Sequence, residues 1–90
     1  MKFWQMVTWS EATQYREVAK IAEELGFHGI MNADHAFLPQ QMRSPYPYTD
    51  DALPPMPSDS EYPDTWVSLA QMAAVTERLL FSTAVYVLPL

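Results

Sequence analysis

Apolar positions along the chain fall into three short runs and two helical stripes, separated by one long stretch that keeps neither period. Phe3 to Thr8 is apolar and β-prone and predicts a first strand over about residues 3–8. Ala12, Tyr15, Val18, Ala19, Ala22 and Leu25 then recur at helical spacing, with Glu17, Lys20, Glu23 and Glu24 mostly on the other side. That predicts a helix over about residues 11–25, with Ser10 where an N-cap belongs and Glu11 facing the positive end of the helix dipole. Gly26 stands where a left-handed C-cap is needed. A second strand follows over about residues 27–32, apolar from Phe27 to Met31 except for His28. Strand, helix and strand in that order make a βαβ unit, so the first two strands are expected to be parallel.

Both periods vanish over about residues 36–62, where six of the eight prolines fall between Pro39 and Pro57. Proline fixes the backbone angle and removes a hydrogen-bond donor, so neither helix nor central strand persists there. A solvated linker is one reading, but Phe37, Leu38, Met42, Tyr46, Tyr48 and Tyr62 are more apolar and aromatic bulk than linkers carry. A loop this long inside a compact unit is more often an active-site lid, which is the reading preferred. Asp64 then offers an N-cap for a second helix over about 64–78, whose apolar residues run nearly all round. The third strand is expected over about 80–88, and its unbroken apolar run fits a parallel sheet buried on both faces. Phe81 to Leu90 carries no charge and no covering helix. Three parallel strands with two helices leave sheet edges and apolar faces bare, so residues 1–90 are expected to be one incomplete α/β domain: the amino-terminal portion, about three βα units, of a (β/α)8 TIM barrel.

Composition narrows the partners. Eleven acids against five bases give a formal charge of -6, which argues against nucleic acid and against an anionic membrane surface. No apolar run approaches the roughly 18 residues of a membrane helix, and the first residues lack a signal peptide's apolar core, so a soluble cytoplasmic protein is expected. The chain has no cysteine, hence no thiolate metal site or redox thiol.

The chemistry-bearing residues sit where the second apolar run ends, in Asn32-Ala33-Asp34-His35. Parallel sheets place their chemistry at the carboxyl ends of strands, and imidazole exchanges protons near neutral pH. The plainer reading is that Asp34 caps a turn and His35 hydrogen-bonds in a loop. His28 enters the strand at its start, away from that end, and reads as structural. No ligand spacing suits a metal, and Asp50, Asp51, Asp59 and Glu61 lack the alternation and glycine of a calcium loop, so they read as a solvated acidic face. The two glycines, Gly26 and Gly29, make no phosphate-cradling run.

Three segments resemble the bacterial luciferase-like superfamily. Asp34-His35 with Pro39 and Ser44-Pro45-Tyr46-Pro47-Tyr48 looks like its second-strand signature. The stretch from Pro63-Asp64-Thr65-Trp66 to Thr76-Glu77-Arg78-Leu79 is similar to its second helix, and Ser82 to Leu90 resembles its third strand. Ser82 stands where glycine is usual, and Asn32-Ala33 replaces the commoner small residue and serine. The resemblance implies a TIM barrel that binds coenzyme F420 or FMN at its carboxyl face. The proline- and tyrosine-bearing insertion is most similar to the F420-using branch, so F420 is the expected cofactor and FMN the alternative. By the same resemblance His35 is the acid/base, Asp34 lies against the cofactor, and Thr83, Ala84 and Val85 back its ring, with Ala84–Val85 a non-prolyl cis peptide. The function implied is an F420-dependent hydride transfer to or from a small organic substrate, in a protein that is a homo-oligomer at full length. Phosphate-gripping residues and further strand–helix units are expected downstream, so the 90 residues alone are expected to be inactive. The competing readings are an FMN-dependent monooxygenase of the same superfamily and a truncated, non-catalytic relative.

Overall fold

Ile30 lies at the centre of a sheet of three parallel strands in the order β1-β2-β3, in a computed structural model that describes residues 1–35, 39–57 and 59–88. β1 is Trp4–Met6, β2 is Gly29–Asn32 and β3 is Leu80–Thr83. Trp4, Gln5 and Met6 pair with Gly29, Ile30 and Met31, and Gly29 to Asn32 pair with Leu80 to Thr83. The first two strands are parallel, as the strand–helix–strand order requires. Phe37 and Leu38 of the long loop, and Pro89 and Leu90 after the third strand, lie outside the described residues.

Each strand is shorter than its apolar run. Pairing of β1 ends where the Val7 N–H donates to the Met31 carbonyl at 3.0 Å, and a turn follows, closed by the Ser10 N–H on the Val7 carbonyl. β3 stops at Thr83 rather than near residue 88 because its neighbour β2 ends at Asn32. The Ala84 N–H on the Asn32 carbonyl, at 2.8 Å, is the last bond between them.

A 3₁₀ turn, Ala12–Gln14, leads into α1, Tyr15–Glu24. Ser10 does not cap this helix. Glu11 holds the cap position of the 3₁₀ turn and Gln14 that of α1, neither with a side-chain bond, and Ser10 belongs to the turn after β1. At the other end Gly26 takes φ +81°, its N–H donates to the Glu23 carbonyl, and the Phe27 N–H donates to the Ala22 carbonyl. This pair of bonds satisfies two of the helix's free carbonyls, which is why a residue without a Cβ is needed there. Leu25 is exposed rather than on the buried stripe, because it falls in the cap beyond the last full turn.

α2 is Thr65–Ala73, and the Asp64 carboxylate caps it by accepting the Val67 N–H at 2.8 Å. The helix ends well before residue 78 because its continuation is claimed elsewhere. The N–H groups of Glu77, Arg78 and Leu79 donate to the Glu23 carboxylate of α1 at 2.6–3.2 Å. One acid thus ties the end of α1 to the entry of β3.

Both helices pack on one face of the sheet, where Val7, Tyr15, Ala19, Ala22, Ile30, Leu69, Met72 and Leu79 form a single buried cluster. Side chains alternate along strands, so Val7, Ile30 and Phe81 face the helices while Trp4, Met6, Met31 and Leu80 face away. That second face is open: Leu80 is 49% exposed and Met6 38%. The expectation of burial on both faces therefore does not hold within these residues, and neither does an α2 apolar and covered all round, since Trp66 and Val67 face solvent. Among the described residues no helix is long and apolar enough to cross a membrane.

The long loop is stitched to itself. The Tyr46 N–H donates to the Ala52 carbonyl at 2.8 Å and the Thr49 hydroxyl to the Leu53 carbonyl at 2.6 Å. The Leu53 N–H donates to the Asp51 carboxylate at 3.1 Å, and the rings of Tyr46 and Tyr48 meet edge to face at 5.5 Å. An extended linker would make none of these bonds.

Candidate functional site

The point where the chain leaves β2 is pinned by two side chains. The Ala33 N–H donates to the Thr8 hydroxyl oxygen at 3.2 Å and to the Asn32 side-chain oxygen at 3.0 Å. Asn32 is fully buried under the helices, near the Tyr15 phenol. Burial pushes that phenol's pKa up, and the neighbouring Asn32 side chain partly offsets it, so Tyr15 stays protonated at neutral pH. Ends of β1 and β2 are thereby locked together directly beneath Asp34 and His35.

Those two neighbours turn to different surroundings. Asp34 is half-buried, and its Oδ2 accepts the Val87 N–H at 3.1 Å, which ties it to the chain that leaves β3. His35 is exposed and its ring meets that of Tyr62 edge to face, with centroids 4.9 Å apart and planes at 87°. A cavity of about 350 Å³ opens between His35, the end of β1 and the long loop. Trp9, Met42, Tyr46, Met56 and Tyr62 make it mainly apolar, Thr8 and His35 are polar groups on its wall, and among the described residues no carboxylate, ammonium or guanidinium lines it. The Tyr62 phenol has its pKa raised chiefly by burial, then by Tyr15 and the Asp34 carboxylate, while the nearby Thr8 side chain acts the other way. It therefore contributes a neutral dipole and a ring, not a charge.

The third-strand candidates lie beside Asp34. Thr83 pairs with Asn32 and falls on the same, helix-facing side of the sheet. The Ala84–Val85 peptide is cis, the geometry the resemblance implies for that step. From Val85 to Leu88 the chain is exposed and apolar, with Tyr86 resting against Trp66 of α2 at 5.5 Å. A short apolar strip beside a single carboxylate suits a flat aromatic ring with one polar edge. Among the described residues no group of three or more His, Cys, Asp or Glu could hold a metal.

The structure thus brings Asp34 to the segment after Ala84–Val85, and His35 to the loop and the end of β1. Sequence reading singled out neither Thr8 nor Asn32 and counted Tyr62 only as loop bulk. Thr8 had a signal, as the residue that closes the first apolar run. Tyr62 had another, one residue before the Pro63-Asp64 start of α2, which fixes its position over the strand ends.

A family model described as luciferase-like monooxygenase matches residues 2–90. The uncharacterized protein Rv0940c of Mycobacterium tuberculosis is 32% identical over 90 residues, covering 100% of this chain and 31% of that protein. The uncharacterized protein Rv0953c of the same organism is 36% identical over 67 residues, covering 74% of this chain and 24% of its own length. The chain therefore spans about a quarter to a third of the curated relatives it matches. No solved structure matches it significantly.

Proposed function

This chain belongs to the luciferase-like monooxygenase family, and from that premise we propose that it forms the first three strands of a (β/α)8 barrel oxidoreductase that uses coenzyme F420. The open face of the sheet supports the barrel: Trp4, Met6, Met31 and Leu80 present apolar surface on the side that strand closure would cover.

The observation that carries the functional reading is the divergence of two adjacent residues at the carboxyl end of β2. Asp34 faces the strip after β3, and His35 faces an apolar cavity on the other side. A cofactor ring against Val85 to Leu88 would have the Asp34 carboxylate at its edge, with Ala84 and Val85 behind it. When bound, F420 supplies the hydride transfer to or from the substrate. The chain's own work is to orient that ring, to keep the reacting atoms in a largely apolar space, and to move a proton through a His35 ring nitrogen. A small organic substrate enters from the loop side, where residues 39–57 act as the lid. In this reading the whole protein is soluble, cytoplasmic and a homo-oligomer. The matching family is named for monooxygenases, which supports a second reading, an FMN-dependent monooxygenase.

Titration of the full-length protein with F420 and with FMN, followed by absorbance and fluorescence, separates the two. F420 binding at least about tenfold tighter, a difference of about 1.4 kcal/mol, is expected. A clear preference for FMN moves the protein to the monooxygenase branch.

A further inference from the structure

We infer that Tyr62 is a positioning residue for His35, acting through the edge-to-face contact of the two rings. The inference rests on the reading of His35 as the proton carrier and adds a residue to it. His35 leaves β2 on an exposed stretch, so β-ladder bonds do not fix its imidazole. Among the described residues, Tyr62 is the one aromatic ring stacked on it, at 4.9 Å and nearly perpendicular. Perpendicular aromatic pairs at this distance are attractive and orientation-dependent, so the contact selects among imidazole rotamers.

Tyr62 is itself held by the chain that follows it. Its backbone stands two residues before the Asp64 cap of α2, which anchors the chain there. Tyr62 lines the His35 cavity together with Thr8, whose hydroxyl oxygen accepts the Ala33 N–H two residues before His35. Thr8 therefore holds the backbone that presents His35, on the wall that the Tyr62 ring shares. The phenol stays protonated, so its role is steric and dipolar rather than that of a second proton carrier.

The test is a double-mutant cycle in the full-length protein, reading turnover of the reduced or oxidised cofactor together with cofactor affinity. Tyr62→Leu removes the ring and should lower kcat about ten- to hundredfold, within the range that one positioned proton carrier supplies, with cofactor affinity within about twofold. Tyr62→Phe keeps the ring and should bring kcat back to within about threefold of the parent. In a His35→Ala background Tyr62→Leu should have no further effect. Tyr62→Met keeps much of the bulk without the ring and should cost about as much kcat as Tyr62→Leu, again only while His35 is present. This second variant carries the test if Tyr62→Leu does not fold. Equal losses from Tyr62→Leu or Tyr62→Met with and without His35 would overturn the inference while leaving His35 as proton carrier. Equal damage by Tyr62→Phe and Tyr62→Leu would overturn the role of the ring. Full turnover in the His35→Ala single variant would instead remove the functional reading, and this inference with it.

Discussion

Asp34 and Val87, 53 residues apart, are joined by one hydrogen bond: the Val87 N–H donates to the Asp34 carboxylate at 3.1 Å. The acid that ends one strand therefore shapes the backbone that leaves the next. Asp34 has two separable duties, one as an acceptor that any side-chain oxygen can meet and one as a negative charge.

Replacing Asp34 by Asn keeps an oxygen for Val87 and removes the charge, whereas Ala removes both. Asp34→Asn should leave the unfolding midpoint close to that of the parent and weaken cofactor binding. Asp34→Ala should weaken cofactor binding at least as much and also cost about 1.5 kcal/mol of stability, the usual scale for a hydrogen bond to a charged acceptor. Denaturant unfolding and cofactor titration on the same two variants check this. A stable Asp34→Ala with full cofactor affinity would make the Val87 bond incidental.

His35 should show the opposite balance. Among the described residues its imidazole makes no bond that holds the strand ends together, and Val87 does not line its cavity. His35→Ala in the full-length protein should therefore lower turnover roughly 10²–10⁴-fold, with a much smaller change in cofactor affinity and stability. Steady-state kinetics beside a binding titration gives both quantities. Near-parent turnover would return His35 to the status of a loop residue.

The parallel βαβ order, the Gly26 stop and the Asp64 cap were legible because each depends on neighbours within a few residues: a helical stripe, a left-handed turn, a carboxylate three residues before a free N–H. Ser10 misled because the same local preference serves a turn as well as a cap, and the turn after β1 took it. Strand lengths were overread because apolar runs report burial, while a ladder ends where the neighbouring strand ends, as at Asn32 and Thr83. Ala33-Asp34-His35 was visible as a place for chemistry. The partners that give it shape, Thr8, Tyr62 and Val87, come from 25 to 53 residues away in the cases of Thr8 and Val87, and no local pattern announces such pairings.

Gly29 is an instance of a long-range requirement written as a single residue. An added Cβ would lie 2.6 Å from the Leu80 carbonyl oxygen and would also run into the Trp4 ring. The ring can swing away, but the carbonyl belongs to the β2–β3 ladder. Gly29→Ala should therefore destabilise the protein by about 1–3 kcal/mol, the range for overpacking. Adding Trp4→Leu should recover only a part of that loss. Denaturant midpoints of the single and double variants decide it, and full recovery would place the clash on the indole alone.

The last prediction concerns acid. Three consecutive N–H groups, of Glu77, Arg78 and Leu79, point at the Glu23 carboxylate, and the Arg78 N–H is the largest influence holding its pKa below the ordinary glutamate value. Donors aimed at a charge favour the charged form, so the folded protein binds a proton here less readily than the unfolded chain does. A folded pKa below the unfolded one gives stability that is present above the unfolded value, about 4.3, and is lost as pH falls through the folded value. Glu23→Gln retains one acceptor oxygen but no charge, so it should be less stable than the parent at neutral pH. The gap between the two should close below about pH 4, where the parent's own carboxylate takes up its proton. Thermal unfolding of both proteins from pH 7 to pH 3 gives the curve. A gap that stays constant across that range would mean that the α1–β3 tie depends on the shape of the side chain and not on its charge.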